Sequence, residues 1–252
     1  MTERALSFGA VAPAYERFRP GYPDAIVDQV IAYADGPVAR ALEIGAGTGK
    51  ATRVFARRGI AVTATDPDPA MLRELRSHVP DTVATVQSTF EDLPLTPVHD
   101  LVFAAASLHW TRPDDRWSRV AGMLRPEGTF ASFGGQVHLA DPELERAVHA
   151  VRSPLLADDE VASPDGTPAD SAMQWPGTEL TRSDLFTDVR QSVVPRRTTV
   201  SAREYVGHLS TVSAYLTLPD PVRADVLDRI LRVLPAHVAL VADLTLHLAR
   251  LA

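Results

Sequence analysis

The stretch "ALEIGAGTGKATRVFARRGIAVTATD" (residues 41–66) decides the fold of this chain. It places Gly45, Gly47 and Gly49 between a short apolar run and a segment with helical spacing, and a second apolar run then ends at Asp66. This order predicts a strand, a helix and a second strand. Glycine lets a loop turn tightly and lets the backbone touch a ligand directly. The stretch therefore predicts a ligand-binding loop at the carboxyl end of the first strand.

Segments downstream of this stretch continue the alternation of helices and strands. Helical spacing covers "PDPAMLRELRSHV" and "PDDRWSRVAGMLR", while β-rich runs cover "DTVATVQS", "HDLVFAAAS" and "EGTFASFGG". Alternating units of this kind predict an α/β fold with a parallel sheet that is covered by helices on both faces.

The regular pattern ends after Gly135. Residues 136–186 are rich in Pro, Asp, Ser and Gly, which indicates either a surface excursion or a lid over the active site. Order returns with "FTDVRQSVVPRRTTVS" and "HVALVADLTLHLARLA", each predicted as one strand, with helices between them. We expect one domain over 1–252, with an N-terminal cap at 1–36 and a lid or substrate region at about 136–186 and 201–216.

The composition excludes several classes of function. A formal net charge of −7 argues against binding to nucleic acid or to an anionic membrane, since both carry negative charge. No apolar run approaches the roughly 18 residues of a membrane span, and the first residues lack a secretory signal, so we expect a cytoplasmic protein. The chain has no cysteine, which excludes disulfides and cysteine nucleophiles. Of the 25 basic residues only Lys50 is a lysine, so any lysine-dependent mechanism has to use it.

Other glycine-rich motifs do not fit the loop. A phosphate-binding P-loop needs glycine where Ile44 stands and Ser or Thr where Ala51 stands, and the dinucleotide fingerprint needs its third glycine where Lys50 stands. The motif that remains is an acid followed by G-x-G-x-G. Asp66 lies 19 residues after Gly47, the distance at which an acidic side chain meets the hydroxyls of a ribose. A helix N-cap is the alternative for Asp66.

The ordered motifs resemble those of the class I S-adenosylmethionine (SAM)-dependent methyltransferases, in the small-molecule branch of the trans-aconitate type. The resemblance rests on "LEIGAGTG" (42–49), "TATDPDPAML" (63–72), "TFEDLPL" (89–95), "DLVFAAASLHW" (100–110) and "MLRPEGTFASFGG" (123–135). The stretches "FGAVAPAYERFRPGYP" (8–23), "WPGTEL" and "EYVGHLSTVSAYL" are also similar.

The resemblance implies a Rossmann-like seven-stranded sheet of order 3-2-1-4-5-7-6, with an antiparallel last strand, and SAM as the cofactor. It assigns the methionine part of SAM to the glycine loop, the ribose to Asp66, one face of adenine to Met71 and the adenine edge to residues 89–91. The cofactor residues predicted in this way are Glu43, Gly45, Ala46, Gly47, Gly49, Asp66, Met71, Thr89, Phe90, Glu91 and Ala105.

The N-terminal residues Tyr15, Arg19 and Tyr22 surround an Arg-Pro-Gly-Tyr-Pro turn. The arginine can pair with the methionine carboxylate while the tyrosines close over the sulfonium, which also makes Tyr15 a catalytic candidate. The alternative is a helix whose aromatic residues pack on the core and whose arginines lie in water.

Methyl transfer from a sulfonium needs mainly a well-placed nucleophile in a dry site. Where the acceptor loses a proton, a histidine is the natural base, and His109 and then His138 follow strands next to the cofactor. Trp110, Trp175 and Tyr205 are predicted to line the substrate site. The histidine spacing gives no metal signature.

The sequence therefore predicts a SAM-dependent methyltransferase for a small organic acceptor, through O, N, C or carboxylate. Three alternatives stay open: a SAM-binding protein without methyl transfer, such as a pericyclic-type catalyst or a binding module, a methyltransferase for RNA or protein, and a nucleoside-binding regulator. Expected partners are a small-molecule substrate but no nucleic acid and no membrane, and the chain is a monomer or a homodimer.

Overall fold

Two β-sheets organise the computed structural model, which describes residues 8–156, 163–168 and 170–252. Parts of the predicted cap (1–7) and of the predicted lid (157–162 and 169) lie outside the described residues. The strands are β1 Arg40–Ile44, β2 Ala61–Asp66, β3 Ala84–Gln87, β4 His99–Ala105, β5 Leu124–Gly134, β6 His138–Leu139, β7 Phe186–Val194, β8 Arg197–Ser201, β9 His237–Val241 and β10 Leu244–Leu251.

The helices alternate with the strands through the first half of the chain and cluster in the second half. Their bounds are α1 Ala12–Phe18, α2 Asp24–Tyr33, α3 Thr52–Ala56, α4 Pro69–Arg76, α5 Arg116–Met123, α6 Pro142–Arg152, α7 Gly177–Arg182, α8 Ala202–Leu209, α9 Ser213–Leu216 and α10 Asp220–Val233. Short 3-10 turns cover Gly9–Val11, Phe90–Asp92 and Leu108–Trp110.

The larger sheet has seven strands in the order β3-β2-β1-β4-β5-β10-β7. Strand β1 pairs in parallel with β2 and β4, so that Glu43 stands opposite Ala64 on one side and Phe103 on the other. Strand β10 is antiparallel to both β5 and β7. This arrangement confirms the predicted seven-stranded order, with β7 as the sixth strand and β10 as the seventh.

The two late stretches each contain two strands, and the prediction of one strand apiece was wrong. Pro195 separates β7 from β8, since proline has no N–H to donate to a sheet ladder. Ala242 and Asp243 separate β9 from β10, and the Asp243 carboxylate accepts a hydrogen bond from the backbone N–H of Arg196 at 2.8 Å. Strands β8 and β9 therefore leave the large sheet and join β6 in a second sheet of order β6-β9-β8.

Helices cover both faces of the large sheet, because successive residues of a strand point to opposite faces. On one face Phe103 of β4 stacks on Phe55 of α3 with ring centroids 4.3 Å apart. On the other face Val102 packs in the same buried cluster as Val120 of α5. A separate buried cluster surrounds the small sheet, with Val226 and Ile230 of α10 at its centre. Among the helices of the described residues, none has the length and apolar character needed to cross a bilayer.

Candidate active site

The glycine loop leaves the carboxyl end of β1 in a conformation that only glycine adopts easily. The φ angles of Gly45, Gly47 and Gly49 are +66°, +55° and +81°, all in the left-handed region. A Cβ atom on Gly45 would lie 2.6 Å from the Cβ of Ser107, so a side chain there would also clash. The Ala46 N–H donates to the carbonyl of Thr65 at 2.8 Å, which fixes the loop against β2.

Asp66 closes the loop from the end of β2. Its carboxylate accepts the Gly47 N–H and the Asp68 N–H, each at 2.9 Å, and the residue is 8% exposed. Burial raises the pKa of Asp66 to about 6, and the two backbone hydrogen bonds only partly offset this effect. Asp68 is the N-cap of α4, because its side chain accepts from the N–H groups of Ala70 and Met71. The helix-cap role considered for Asp66 therefore belongs to Asp68.

Glu43 lies beneath the loop and is 1% exposed. The Thr52 hydroxyl donates to its carboxyl group. Burial raises the pKa of Glu43 to about 8, and the nearby charge of Asp66 adds to the rise. Two buried carboxyl groups therefore lie at the base of the loop, and their pKa values of about 6 and about 8 are on either side of neutral pH.

A cavity of about 720 Å³ extends from the glycine loop to the small sheet. We call the part at the loop, Asp66 and Met71 the cofactor half, and the part formed by residues 136–156 and 205–218 the outer half. Predicted site residues that line the cavity are Tyr15, Arg19, Tyr22, Glu43, Gly45, Ala46, Gly47, Asp66, Met71, Phe90, Glu91, Ala105, His109, Trp110, His138 and Tyr205. Of the described residues between 163 and 186, none lines it.

Three predicted residues lie away from the cavity. A Cβ atom on Gly49 would stand 2.7 Å from Leu75 Cγ, so this glycine allows the loop to pack on α4. The Thr89 hydroxyl donates to Asp92 at 2.6 Å, which leaves its neighbours Ser88 and Phe90 to face the cavity. Trp175, which was predicted to line the substrate site, does not line this cavity.

Trp175 packs instead on the face of the large sheet that α5 covers, against the cluster that contains Val102 and Val120. The Arg116 guanidinium lies 5.2 Å from the centre of its ring. Arg116 is itself 2% exposed and donates to Thr111 and to Glu179, the latter at 3.0 Å. Trp175 therefore belongs to a polar and aromatic cluster that joins α5 to α7.

The N-terminal cap forms a roof over the cofactor half. Arg19 donates from Nε to the Thr211 hydroxyl and from Nη2 to the Thr211 carbonyl, both at 2.9 Å. Its guanidinium also lies 5.2 Å from the centre of the Tyr15 ring. The alternative that leaves this arginine in water is therefore wrong. Tyr22 contacts the core edge-on, 5.0 Å from the ring centre of Phe133.

The cap is also tied to the helix that follows the glycine loop. Lys50 donates to the Glu16 carbonyl at 2.6 Å, and Arg53 donates to the Glu16 carboxylate at 2.8 Å. The one lysine of the chain therefore holds α1 in place, and burial lowers its pKa.

The two predicted histidines lie in different parts of the cavity wall. His109 is exposed in the 3-10 turn after β4, with its ring 4.6 Å from that of Trp110. His138 is exposed at the start of β6. Sequence analysis missed His208 of α8, which lines the cavity and is 7% exposed. Burial and then the charge of Arg19 lower the pKa of His208 to about 3, so its ring is neutral at physiological pH.

Charged residues that sequence analysis missed also reach the cavity. Arg196, between β7 and β8, donates to the Gly21 carbonyl at 2.6 Å beside the cap. Arg152 and Glu145 of α6 form a pair across 3.8 Å in the outer half. Helical spacing placed Glu145 and Arg152 seven residues apart on one face of α6, but the sequence did not show that this face meets the cavity.

Comparisons with known proteins agree on one family. A family model described as a methyltransferase domain matches residues 42–132. An uncharacterised methyltransferase from Mycobacterium tuberculosis (strain H37Rv) is 34% identical over 94% of this chain and 89% of its own length. Trans-aconitate 2-methyltransferase from Escherichia coli O1:K1 is 34% identical over only 35% of this chain and 36% of its own length.

Solved structures share the fold. A proposed type II methyltransferase from Anaeromyxobacter dehalogenans superposes with a TM-score of 0.64, at 24% identity, over 92% of this chain and 98% of that one. Phosphoethanolamine N-methyltransferase 2 from Haemonchus contortus, in complex with phosphomonomethylethanolamine and S-adenosylhomocysteine, gives a TM-score of 0.53 at 14% identity, over 96% of this chain and 57% of that one.

Proposed function

Because this chain belongs to the class I SAM-dependent methyltransferases, we propose that it methylates a small organic acceptor, which binds in the outer half of the cavity. The observation that carries the proposal is one continuous cavity of about 720 Å³, with the glycine loop and Asp66 at one end and α6, α8 and α9 at the other. A cavity of this size falls within the range of small-molecule sites. The net charge of −7 argues against a nucleic-acid substrate.

The residues at the cofactor half fit SAM. Each oxygen of the Asp66 carboxylate accepts one backbone N–H and keeps a further lone pair, which suits two ribose hydroxyls. The bare backbone of Gly45 and Gly47 lets a ligand approach the loop closely. In this proposal Met71 contacts the adenine, Phe90 and Glu91 face its edge, and Tyr15 and Tyr22, which line the cavity, cover the sulfonium end.

Bound SAM supplies an activated methyl group, so the protein needs only to orient the acceptor and exclude water. The cap residues Tyr15 and Arg19 close the cavity above the cofactor half, and Arg19 is hydrogen-bonded to Thr211. His109 is the proposed proton acceptor for an acceptor hydroxyl or amine, since it lines the same cavity from the exposed turn after β4. The outer half, formed by residues 136–156 and 205–218, acts as the substrate region.

Methyl transfer from radiolabelled SAM tests this proposal. We expect label to move to a member of a small-molecule panel, with release of S-adenosylhomocysteine, and not to transfer RNA or to protein. The His109→Ala variant should lower turnover more than it lowers cofactor affinity. Binding of SAM without label transfer to any acceptor would favour a binding or pericyclic role, and label in the RNA fraction would overturn the small-molecule assignment.

A further inference from the structure

Residues of the hydrophobic cluster around the small sheet also line the outer half of the cavity. The buried cluster around the small sheet includes Tyr205 and Leu209 at 1% and 4% exposure, and both also line the cavity. Partly exposed residues pack on this cluster and turn their remaining surface to the same cavity; those that line it are Val137, Val212, Ala214 and Leu218. Leu155, which is 40% exposed, adds a large apolar side chain to the wall.

Charged groups in this half are already engaged by the protein. Glu145 accepts the Leu139 N–H at 2.9 Å and pairs with Arg152 at 3.8 Å, which brings opposite charges together within the wall. Arg19, at the border with the cofactor half, donates twice to Thr211. His208 stays neutral because burial lowers its pKa to about 3. The wall therefore combines apolar side chains with uncharged polar ones, such as Gln136, Ser213 and Thr217, and with the exposed His138, and it carries no strong net charge.

From this arrangement we infer that the methyl acceptor is a compound with an uncharged apolar body and a polar end. The apolar body packs on Leu155, Leu209, Val212 and Leu218. The polar end carries the acceptor atom and points toward the cofactor half. The inference rests on the proposed function, since it treats the outer half as the acceptor site. The continuity of the apolar wall with the glycine loop, within one cavity, supports this occupant over a separate partner.

The experiment uses the full chain saturated with S-adenosylhomocysteine and the neutral apolar fluorophore N-phenyl-1-naphthylamine as the probe. A series of straight-chain primary alcohols then displaces the probe. Each added methylene should tighten binding by about 3- to 4-fold until the outer half is filled, because burying a methylene contributes about 0.8 kcal/mol.

Variants locate the binding surface. Val212→Thr keeps the side-chain shape and adds a hydroxyl to the apolar wall, and Leu218→Asn adds an amide, so each should weaken alcohol binding by about 5-fold or more. Val193→Thr is the matched control, since Val193 is 52% exposed on β7 and lies outside the cavity lining. Retained binding of S-adenosylhomocysteine, measured by calorimetry, shows that each variant is folded.

The outcomes separate this inference from the proposed function. Alcohol affinity that does not change with chain length, or equal losses in Val193→Thr and Val212→Thr, would overturn the inference. Binding of citrate to the complex with S-adenosylhomocysteine, without binding of the probe, would overturn it in favour of a polyanionic acceptor. Chain-length-dependent binding in a protein that does not bind S-adenosylhomocysteine would support the apolar site but refute the proposed function.

Discussion

At the scale of single residues, Asp66 links cofactor binding to pH. Its pKa of about 6 reflects burial at the end of β2, while the backbone N–H groups of Gly47 and Asp68 favour the ionised form. A ribose hydroxyl donates a better hydrogen bond to a carboxylate than to a neutral carboxyl group. Binding should therefore require the loss of a proton from Asp66 at acidic pH.

We expect the dissociation constant of S-adenosylhomocysteine to rise about tenfold for each pH unit below about 6 and to level off above it. Between pH 5 and 6.5 Glu43 stays protonated, because its pKa is about 8, so it does not add to this change. Asp66→Asn should weaken binding at pH 7.5 by about 10- to 100-fold, since a charged hydrogen bond contributes roughly 1.5 to 3 kcal/mol.

Calorimetric titrations of both proteins across this pH range check the prediction. Asp66→Asn should also lose the acidic pH dependence, whereas the exposed Asp81→Asn should behave as the native chain. Unchanged affinity in Asp66→Asn would remove this carboxylate from the cofactor site.

Glu43 makes the folding stability of the protein depend on pH as well. Its folded pKa of about 8 lies above its ordinary value of 4.5, so the folded state holds a proton that the unfolded state releases between these values. The associated stability is fully present below pH 4.5 and is lost as the pH rises to about 8. The matching loss from Asp66 ends near pH 6, so of these two carboxyl groups only Glu43 lowers the stability between pH 6 and 8.

Glu43→Gln should remove this loss, because the neutral amide can still accept a hydrogen bond from Thr52. The difference in unfolding free energy between the variant and the native chain should grow by up to about 1.4 kcal/mol per pH unit from pH 6 to 8. Urea unfolding at pH 6, 7 and 8 measures the difference. Glu143→Gln, at a side chain that is 85% exposed, should show no such growth, and a flat difference for Glu43→Gln would contradict the prediction.

At the scale of elements, the contact between Arg19 and Thr211 joins the N-terminal cap to the segment after α8. The Thr211 hydroxyl accepts from Arg19 and donates to the His208 carbonyl at 2.7 Å, and Thr211 is fully buried. Gly207 of α8 lies against the ring of Phe18, where an added Cβ atom would stand 2.5 Å from Cδ1. The helices α1 and α8 therefore meet over the border between the two halves of the cavity.

Thr211→Val should raise the KM for the acceptor by about 5- to 10-fold, because it removes the hydroxyl's hydrogen bonds with Arg19 and His208 and loosens the contact between α1 and the segment after α8 at the border of the outer half. The affinity for S-adenosylhomocysteine should change less than 3-fold, since Asp66 and the glycine loop are untouched. Ser210→Ala is the control, because the Ser210 hydroxyl donates only within its own helix end, to the Gly207 carbonyl. Equal effects on acceptor and cofactor would contradict a role confined to the outer half.

The elements also show where sequence analysis succeeds. The strand, helix and strand of residues 41–66 were predictable, because glycine conformation and apolar periodicity are local properties. The split of residues 186–201 into β7 and β8 was not, since it depends on which sheet each strand joins after Pro195. The Arg19 contact was equally hidden, because its partner Thr211 lies 192 residues away in the sequence. Local patterns therefore predicted the cofactor half better than the outer half.

At the scale of the whole molecule, the two sheets have separate hydrophobic cores. The large sheet is covered by clusters that include Ile26 of α2, and the small sheet has a cluster of its own that includes Ile230 of α10. Both isoleucines are 0% exposed. The cavity lies between these cores, so the cofactor half depends on the first core and the outer half on the second.

Ile230→Ala should therefore loosen the outer half alone. Removing a buried isoleucine side chain costs about 2 to 5 kcal/mol, and this loss should accelerate amide hydrogen exchange in β8, β9, α8 and α10 while β1 and β4 stay protected. Ile26→Ala makes the same substitution in the first core and should accelerate exchange in β1 and β4. Because Asp66 and the glycine loop belong to the large sheet, Ile230→Ala should keep its affinity for S-adenosylhomocysteine and lose affinity for the acceptor. Equal acceleration in all these strands for either variant would instead show that the two cores unfold as one cooperative unit.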